Sequence, residues 1–579
     1  MPVFYDGEEF TFYNPDGSEI KVRGWGNQFA AVFETLDGFT IIQDPTSGFF
    51  HYAILSEDGT ELLPSGTPVG TVAPQQLPMP RHLRLTREAV GRQARAAQRE
   101  TGVQPRWEIR RQERQQRRAR SPRSSKDTSD DTPEEGPLAA TVGNYVGLCL
   151  LIQFPDVSGT ISQQEVTHYC NQPGYTGFGN NGSVRDYFYD NSDRKLTYTN
   201  VVTAYYTAQH NRAYYTDPHV SYGTRARELI IEALNHLKAQ GFNFEQLTAD
   251  GGGYVQALNV FYAGPTVNNW SQGLWPHSWA LATPYVASST RRFSDYQITN
   301  MGSQLSLRTF CHENGHMICD FPDLYDYNNQ HSGVGHYCLM CFGGSNTNPT
   351  QVCAYLKNTA GWTSSLRPIA PGMSYSVAAE RNNFLIHRKN QAEYFIVENR
   401  AKSGRDAVLP DAGLAIWHVH ENGSNSNPPL TPSKPLECSL EQADGRFDLE
   451  NKRNGGDADD LYGAPAAPKF GNSTNPNSRW WDSSVSGLEF TSISAPESTM
   501  TVNTQVLWQN DRLVLRTHAK NGASQTWAFL QGDSAWLQIG GASTDGNTNI
   551  FMTLCEALAN GRKVDVLVSN GRIIETTLK

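Results

Sequence analysis

No run in this 579-residue chain approaches the roughly 18 consecutive apolar residues of a membrane-spanning helix, so no span is expected. The chain is also short of charge, with 18% charged residues against about 25% in an average globular protein. With 38% hydrophobic and 11% aromatic residues it has ample material for folded cores, which excludes global disorder. The opening MPVFYDGEEF has neither the basic nor the apolar region of a secretory leader, so no signal peptide is expected in this sequence. Nine cysteines are too sparse for a disulfide scaffold, and an odd number leaves one unpaired in a monomer.

The net charge of −10 hides an asymmetry. Arg81 to Lys126 carries 15 basic residues against 4 acidic ones, which leaves about −21 on the remainder. Composition divides the chain accordingly. Residues 1–84 alternate apolar and polar positions between turn signals and read as a small β-rich unit. Residues 85–138 read as an Arg-rich, then acidic, linker whose first half is at most a solvated helix. Residues 139–370 mix buried-strand runs such as Val146–Phe154 with helical stripes such as Arg225–Gln240. Residues 371–504 read as a β-rich extension and 505–579 as a small β domain, so the fold class is α+β.

The sharpest local feature is Cys311-His312-Glu313-Asn314-Gly315-His316, on a helix candidate running from Leu305 to Cys319. His312 and His316 are four residues apart and share a helix face, where two imidazoles can bind one Zn²⁺. Glu313 then stands beside the metal as a general base. A catalytic zinc normally takes a third protein ligand. A Glu from a second helix roughly 20–30 residues on is one source. The absence of any Asp or Glu between Asp326 and Glu380 counts against it. The other source is the turn after the second His, in the pattern H-E-x-x-H-x-x-G-x-x-H. Cys319 and Pro322 occupy its Gly and third-His positions here, and Asp323 stands one residue further on. Asp320, Asp326, His331 and His336 are the other donors nearby.

The run HENGHMICDFPDLYDY, followed by Gly333-Val334-Gly335-His336-Tyr337-Cys338-Leu339-Met340, resembles the immune inhibitor A type of secreted bacterial metallopeptidases, metzincin-like zincins. The N-terminal GEEFTFYNPDGSEIKVRGWGNQF is similar to that family's propeptide. Phe178–Phe188, Leu274-Trp275-Pro276-His277, Glu398-Asn399-Arg400 and Gly413–Val419 are similar to its peptidase domain. The resemblance covers about residues 1–500. It implies a zincin catalytic domain over 139–370 behind a propeptide over 1–84. It also implies His312, His316 and Asp323 as zinc ligands, Glu313 as the general base and Met340 as the Met-turn beneath the metal. The implied function is a zinc endopeptidase made as a zymogen, acting on protein or peptide substrates after export. Tyr325 and Tyr337 are the candidate oxyanion stabilisers.

Asp448, Glu450, Asn454, Asp457, Asp459 and Asp460 form an oxygen-rich loop with the donors that Ca²⁺ takes, which the resemblance favours over a plain solvated loop. The loop Thr248–Gly253 lacks alternating carboxylates, and no ion is expected there. Cys311, Cys319, Cys338, Cys341 and Cys353 fall near the candidate site and read as buried thiols or one disulfide. Arg110-Arg111, Arg117-Arg118 and Arg120 read as cleavage sites for a trypsin-like activating protease. Two rival readings follow from the same residues: a non-catalytic surface-binding protein with structural zinc, or a nucleic-acid-associated protein acting through the Arg-rich segment, which has no stacking platform.

Overall fold

Alternation builds the N-terminal unit. The structure is a computed structural model that describes residues 5–579 except 28, 74, 75, 77, 101, 102, 121–139, 218, 222, 267–272, 380, 427–434, 464–468, 507, 522–524, 534, 541, 542, 570 and 571. Strands β1 (Tyr5–Tyr13), β2 (Glu19–Asn27), β3 (Ala30–Thr35), β4 (Thr40–Gln43), β5 (Phe50–Leu55) and β6 (Leu62–Pro68) form an antiparallel meander in sequence order. Period-two side chains put Phe12, Ile20, Val22, Ile41, Phe50 and Tyr52 on one face. That face closes on Trp275, a residue from far along the chain.

The next segment corrects the sequence reading. Residues 85–138 do not start as a solvated linker: they form helices α1 (Arg87–Glu100) and α2 (Arg106–Arg120), and α2 is docked on the protein. The acidic half, 121–138, lies outside the described residues. Trp107 is buried, and its backbone N–H and that of Arg106 donate to the Asp295 carboxylate at 2.9 and 2.7 Å. An anion from another element thus caps the helix N-terminus. Arg110 and Arg114 pair with Asp320, and Arg111 pairs with Glu437. Arg117, Arg118 and Arg120 lie on α2 with side chains outside the described set. A helix held by ion pairs to distant carboxylates and by one Trp leaves no apolar stripe, so periodicity misses its docking.

The central domain is organised by a five-stranded sheet in the order β10-β11-β9-β7-β8. Its strands are β7 (Gly143–Gln153), β8 (Leu196–Thr207), β9 (Leu258–Ala263), β10 (His277–Val286) and β11 (Arg292–Met301); only the edge strand β10 runs antiparallel. β7 reads as a continuous apolar run because both faces are covered. Leu148, Leu150 and Ile152 pack with Leu229, Ile230 and Leu234 of helix α6 (Thr224–Ala239). Cys149 and Leu151 face the opposite core, which holds α3 (Gln163–Asn171), α4 (Val184–Asn191) and α7 (Leu307–Cys319). Each fully buried Leu or Ile here contributes about 2 kcal/mol. The short helix α5 (Arg212–Tyr215) precedes α6, and α8 (Ala354–Thr359) follows α7 in the chain.

Beyond it, β12 (Ser365–Pro368), β14 (Asn383–Arg388), β15 (Glu393–Arg400), β16 (Gly413–His420) and β17 (Cys438–Leu440) form a second sheet. A three-stranded sheet of β13 (Ser374–Ala378), β18 (Phe490–Ile493) and β19 (Thr499–Thr504) packs on it. Arg400 ties β15 to the central domain through a bond to the Tyr337 carbonyl, and a buried fork to Asp406, both bonds 2.8 Å, holds its guanidinium in place. The C-terminal unit is not purely β. Strands β20 (Trp508–Ala519), β21 (Thr526–Leu530), β22 (Leu537–Ile539), β23 (Lys563–Ser569) and β24 (Arg572–Leu578) close a barrel, and helix α9 (Thr544–Asn560) packs on it. Ser543 caps α9, and Ile550, Leu554 and Ala557 supply a thin stripe among Thr and Asn residues, too weak to read as a helix beforehand.

Candidate metal centre

Helix α7 carries the histidines, and nearly every residue on it is buried. It needs a glycine between them. Gly315 stands so close to Met340 that a Cβ there would meet the sulfur at 2.9 Å, so the Met340 thioether packs directly against the turn that joins His312 to His316. The Met340 segment also fixes the following loop, since its carbonyl accepts from Leu324 N at 2.7 Å. On the other side Asn314 anchors the helix to the sheet. It donates to Asn259 at 2.8 Å and accepts from the Tyr198 hydroxyl at 2.6 Å, in a network that includes Asn200 and Gln297. Helix α7 ends at Asp320, whose left-handed backbone (φ 54°) turns the chain sharply back and delivers Asp323 to the histidines.

Three donors meet there. His312 Nδ1 lies 3.0 Å from the Leu339 carbonyl and His316 Nδ1 lies 2.5 Å from the Phe321 carbonyl. A carbonyl only accepts, so each Nδ1 carries a proton, and it is Nε2 of each ring that faces the cluster. The two Nε2 atoms are 3.2 Å apart, and Asp323 Oδ1 lies 3.0 and 3.3 Å from them. No donor is aligned on that Oδ1, which is buried. Three electron-rich atoms crowded at these distances repel one another, and there is room for at most one proton among them; a cation in their midst satisfies all three. Their separations match the edges of a tetrahedron with corners about 1.9 Å from its centre, close to the ligand distances of Zn²⁺.

The surroundings are tuned in the same sense. Burial alone would raise the Asp323 carboxyl, but the imidazoles beside it outweigh burial and hold it far below the usual carboxylate range. His312 is pulled upward, with Asp323 overcoming the effect of burial. The Tyr327 hydroxyl donates to the second oxygen of Asp323 at 2.6 Å, fixing the carboxylate's orientation. Glu313 is buried on α7 next to His312, and its charge contributes to the rise at His312.

The other donors considered from sequence go elsewhere. Asp320 faces Arg110 and Arg114. Asp326 accepts from Asn328 N and Gln330 N in its own turn, and His331 Nδ1 accepts from Gly333 N. The His336 ring packs against Phe342. Of the two tyrosines, Tyr325 lies beside the site, its ring 6.4 Å from that of His312, whereas Tyr337 donates to Asp460 at 2.9 Å, away from the trio. His277 is buried between the Trp275 carbonyl and the Tyr296 hydroxyl, and burial depresses its pKa to about 3. No family model matches this chain, and no curated protein matches it. The case for the site therefore stands on its geometry.

Two elements lie against this region, one of them on the trio itself. The Trp107 indole of α2 stacks on the His316 ring at 4.6 Å between centroids. From the N-terminal sheet, Asn27 donates to the Tyr327 carbonyl, Phe29 packs on the Tyr327 ring, and Glu8 pairs with Arg308 of α7. Sequence reasoning missed Trp107, Tyr327 and Asn314. Only Tyr327, four residues from Asp323, carried a local signal.

The acidic loop assembles differently from the sequence expectation. The structure brings Asp457 and Asp460 together with Asp444, a residue not foreseen. Asp448 instead pairs with Arg453 at 2.9 Å, and Glu450 accepts from Gln442 at 2.5 Å. Asn454 donates to Asp457 at 2.6 Å, and Asp459 is not in the trio. Asp444 Oδ2, Asp457 Oδ1 and Asp460 Oδ1 are buried without a hydrogen-bond partner. All nine cysteines are free thiols, so the disulfide alternative is not realised.

Proposed function

We propose that the chain is a zinc-dependent endopeptidase held in a latent form. The observation that carries this reading is the convergence of His312 Nε2, His316 Nε2 and Asp323 Oδ1 to within 3.3 Å of one another. The donor set, two imidazoles and a carboxylate, suits Zn²⁺. A Zn²⁺ ion held there supplies Lewis acidity toward water and toward a scissile carbonyl. Glu313 takes the proton of the attacking water and returns it to the leaving amine. The Leu339 and Phe321 carbonyls keep both rings in the tautomer that exposes Nε2, and Tyr327 holds Asp323 in place. Met340 supports the helix turn from below, as in the family this sequence resembles.

Latency is supported by the stacking of Trp107 on His316 and by the N-terminal sheet against Tyr327 and Arg308. The reading as a nucleic-acid arm loses its footing, since Arg106, Arg110, Arg111 and Arg114 are spent on carboxylates of the same chain. For Asp444, Asp457 and Asp460 we propose a structural hard cation such as Ca²⁺, on the strength of their convergence and of the buried Asp457 and Asp460 oxygens that accept no hydrogen bond; Arg446, 3.2 Å from Asp444, offsets part of the charge. The deciding experiment is metal content measured together with casein hydrolysis, with and without a chelator. Zinc at one per chain, with hydrolysis lost on chelation and restored by Zn²⁺, is expected. A metal-free chain, or hydrolysis indifferent to chelation, sinks the reading.

A further inference from the structure

The surface that α2 covers is acidic, and among the described residues its carboxylates find their Arg partners on α2. Asp250 lies 3.5 Å from Arg106 and 4.0 Å from Arg110. Asp295 caps the helix, Asp320 takes Arg110 and Arg114, and Glu437 takes Arg111 and the Tyr355 hydroxyl. Among the described residues, no Lys or Arg of the central domain or the second sheet pairs with any of these four carboxylates. Glu437 has a side chain only 2% exposed while α2 is in place. Removing α2 therefore uncovers four carboxylates at once with no cation of their own among the described residues, a state unfavourable unless other cations replace α2.

The position of this surface ties it to the trio. Asp320 ends the metal helix, four residues after His316 and three before Asp323, and Trp107 carries α2 directly onto His316. Arg106, Arg110, Arg111 and Arg114 share one face of α2, so the surface is matched to several guanidinium groups in a row rather than to one. Arginine suits it better than lysine, because Arg110 engages both Asp320 and the Met317 carbonyl through its fork.

We infer that this surface is the substrate-docking groove, that its preferred ligands are arginine-rich peptide segments, and that α2 occupies it as an internal copy of such a ligand. The inference rests on the latent-peptidase reading for its biological sense, but the groove's ligand can be tested apart from catalysis. The full chain carrying W107A, R110E and R114E places glutamates against Asp320 and frees the surface. A fluorescein-labelled nonapeptide of D-arginine, which is not a substrate, should bind this variant at least tenfold more tightly than wild type. Binding should fade between 50 and 500 mM salt and drop at least tenfold when D320N and E437Q are added. A nonapeptide of D-glutamine should not bind. Equal binding to wild type and variant, or binding indifferent to D320N and E437Q, overturns the inference.

Casein hydrolysis by the same proteins separates the two claims. Acid-dependent peptide binding without hydrolysis leaves the groove standing and refutes the peptidase; hydrolysis without peptide binding does the reverse. Should the triple variant not fold, the wild-type chain nicked by trypsin and then quenched answers instead. Its casein hydrolysis should be inhibited by the D-arginine peptide and not by the D-glutamine one, and equal effects of both overturn the inference.

Discussion

Two clusters of three donors lie in this molecule, and they are built on opposite principles. At His312, His316 and Asp323 the anion is held by its neighbours: the imidazoles keep the carboxyl ionised, backbone carbonyls fix both rings, and Tyr327 fixes the second carboxylate oxygen. At Asp444, Asp457 and Asp460 three carboxylates crowd together, with Arg446 beside Asp444 at 3.2 Å and hydrogen bonds from Asn454 and Tyr337 on the other two. Burial pushes Asp460 up to about 7, and burial together with Asp444 raises Asp457. The first cluster is organised by its own neighbours, whereas the second would be relieved by a cation. On the reading proposed above, the difference separates a donor set suited to a nitrogen-preferring, tetrahedral metal from one suited to a hard cation.

Glu313→Gln should break the first cluster's chemistry without touching its shape. Casein hydrolysis should fall about 10³-fold, in the range of general-base catalysis, with the zinc content unchanged. Full activity in a zinc-loaded variant would remove Glu313 from the mechanism. Asp323→Asn should weaken zinc binding by about 10²-fold, a ligand loss somewhat larger than that of an outer partner, while Asp320→Asn leaves it unchanged. A titration giving the reverse order would move the third ligand to Asp320.

The second cluster should show itself in stability rather than in turnover. At a hundredfold excess over its dissociation constant, Ca²⁺ should stabilise the fold by about 2.7 kcal/mol. Melting curves with and without EGTA should show the loss, and Asp444→Asn should abolish it while the zinc stays. The sign of the pH effect follows from Asp460. Its folded pKa of about 7 lies above the unfolded carboxylate value, so its contribution is present at low pH and lost as pH rises through 7. Calcium-free protein should therefore lose stability between about pH 4 and 7 at this group, and Asp460→Asn should flatten that part of the profile. A profile unchanged by the substitution would leave Asp460 ordinary. The smallest effect is expected for Tyr327→Phe, about tenfold in zinc affinity, because it removes one bond to a carboxylate that keeps its other contacts.

The helix α7 and the donor pair His312 and His316 were legible because their information is local. Four-residue spacing puts two side chains on one face whatever surrounds the helix. Asp323 was legible only as one of several donors, since its place depends on the sharp turn at Asp320. Asp444 was invisible: it joins Asp457 from across an intervening loop, and nothing in a run of acidic residues says which will converge. The segment around Arg106–Arg114 was misread for the same reason, because a charge run looks solvated until its partners are known.

By itself the sequence determined the periodic elements, the α+β class and the paired histidines with Glu313 beside them. These rest on short-range geometry, where side-chain direction repeats every two or 3.6 residues. Only the tertiary structure decided which carboxylate meets the histidines and that an arginine helix lies over them. It alone paired the carboxylates at 250, 295, 320 and 437 with that helix. Coulombic pairing and burial act between residues up to hundreds of positions apart, and a charge gives no sign, in sequence, of the partner that will neutralise it.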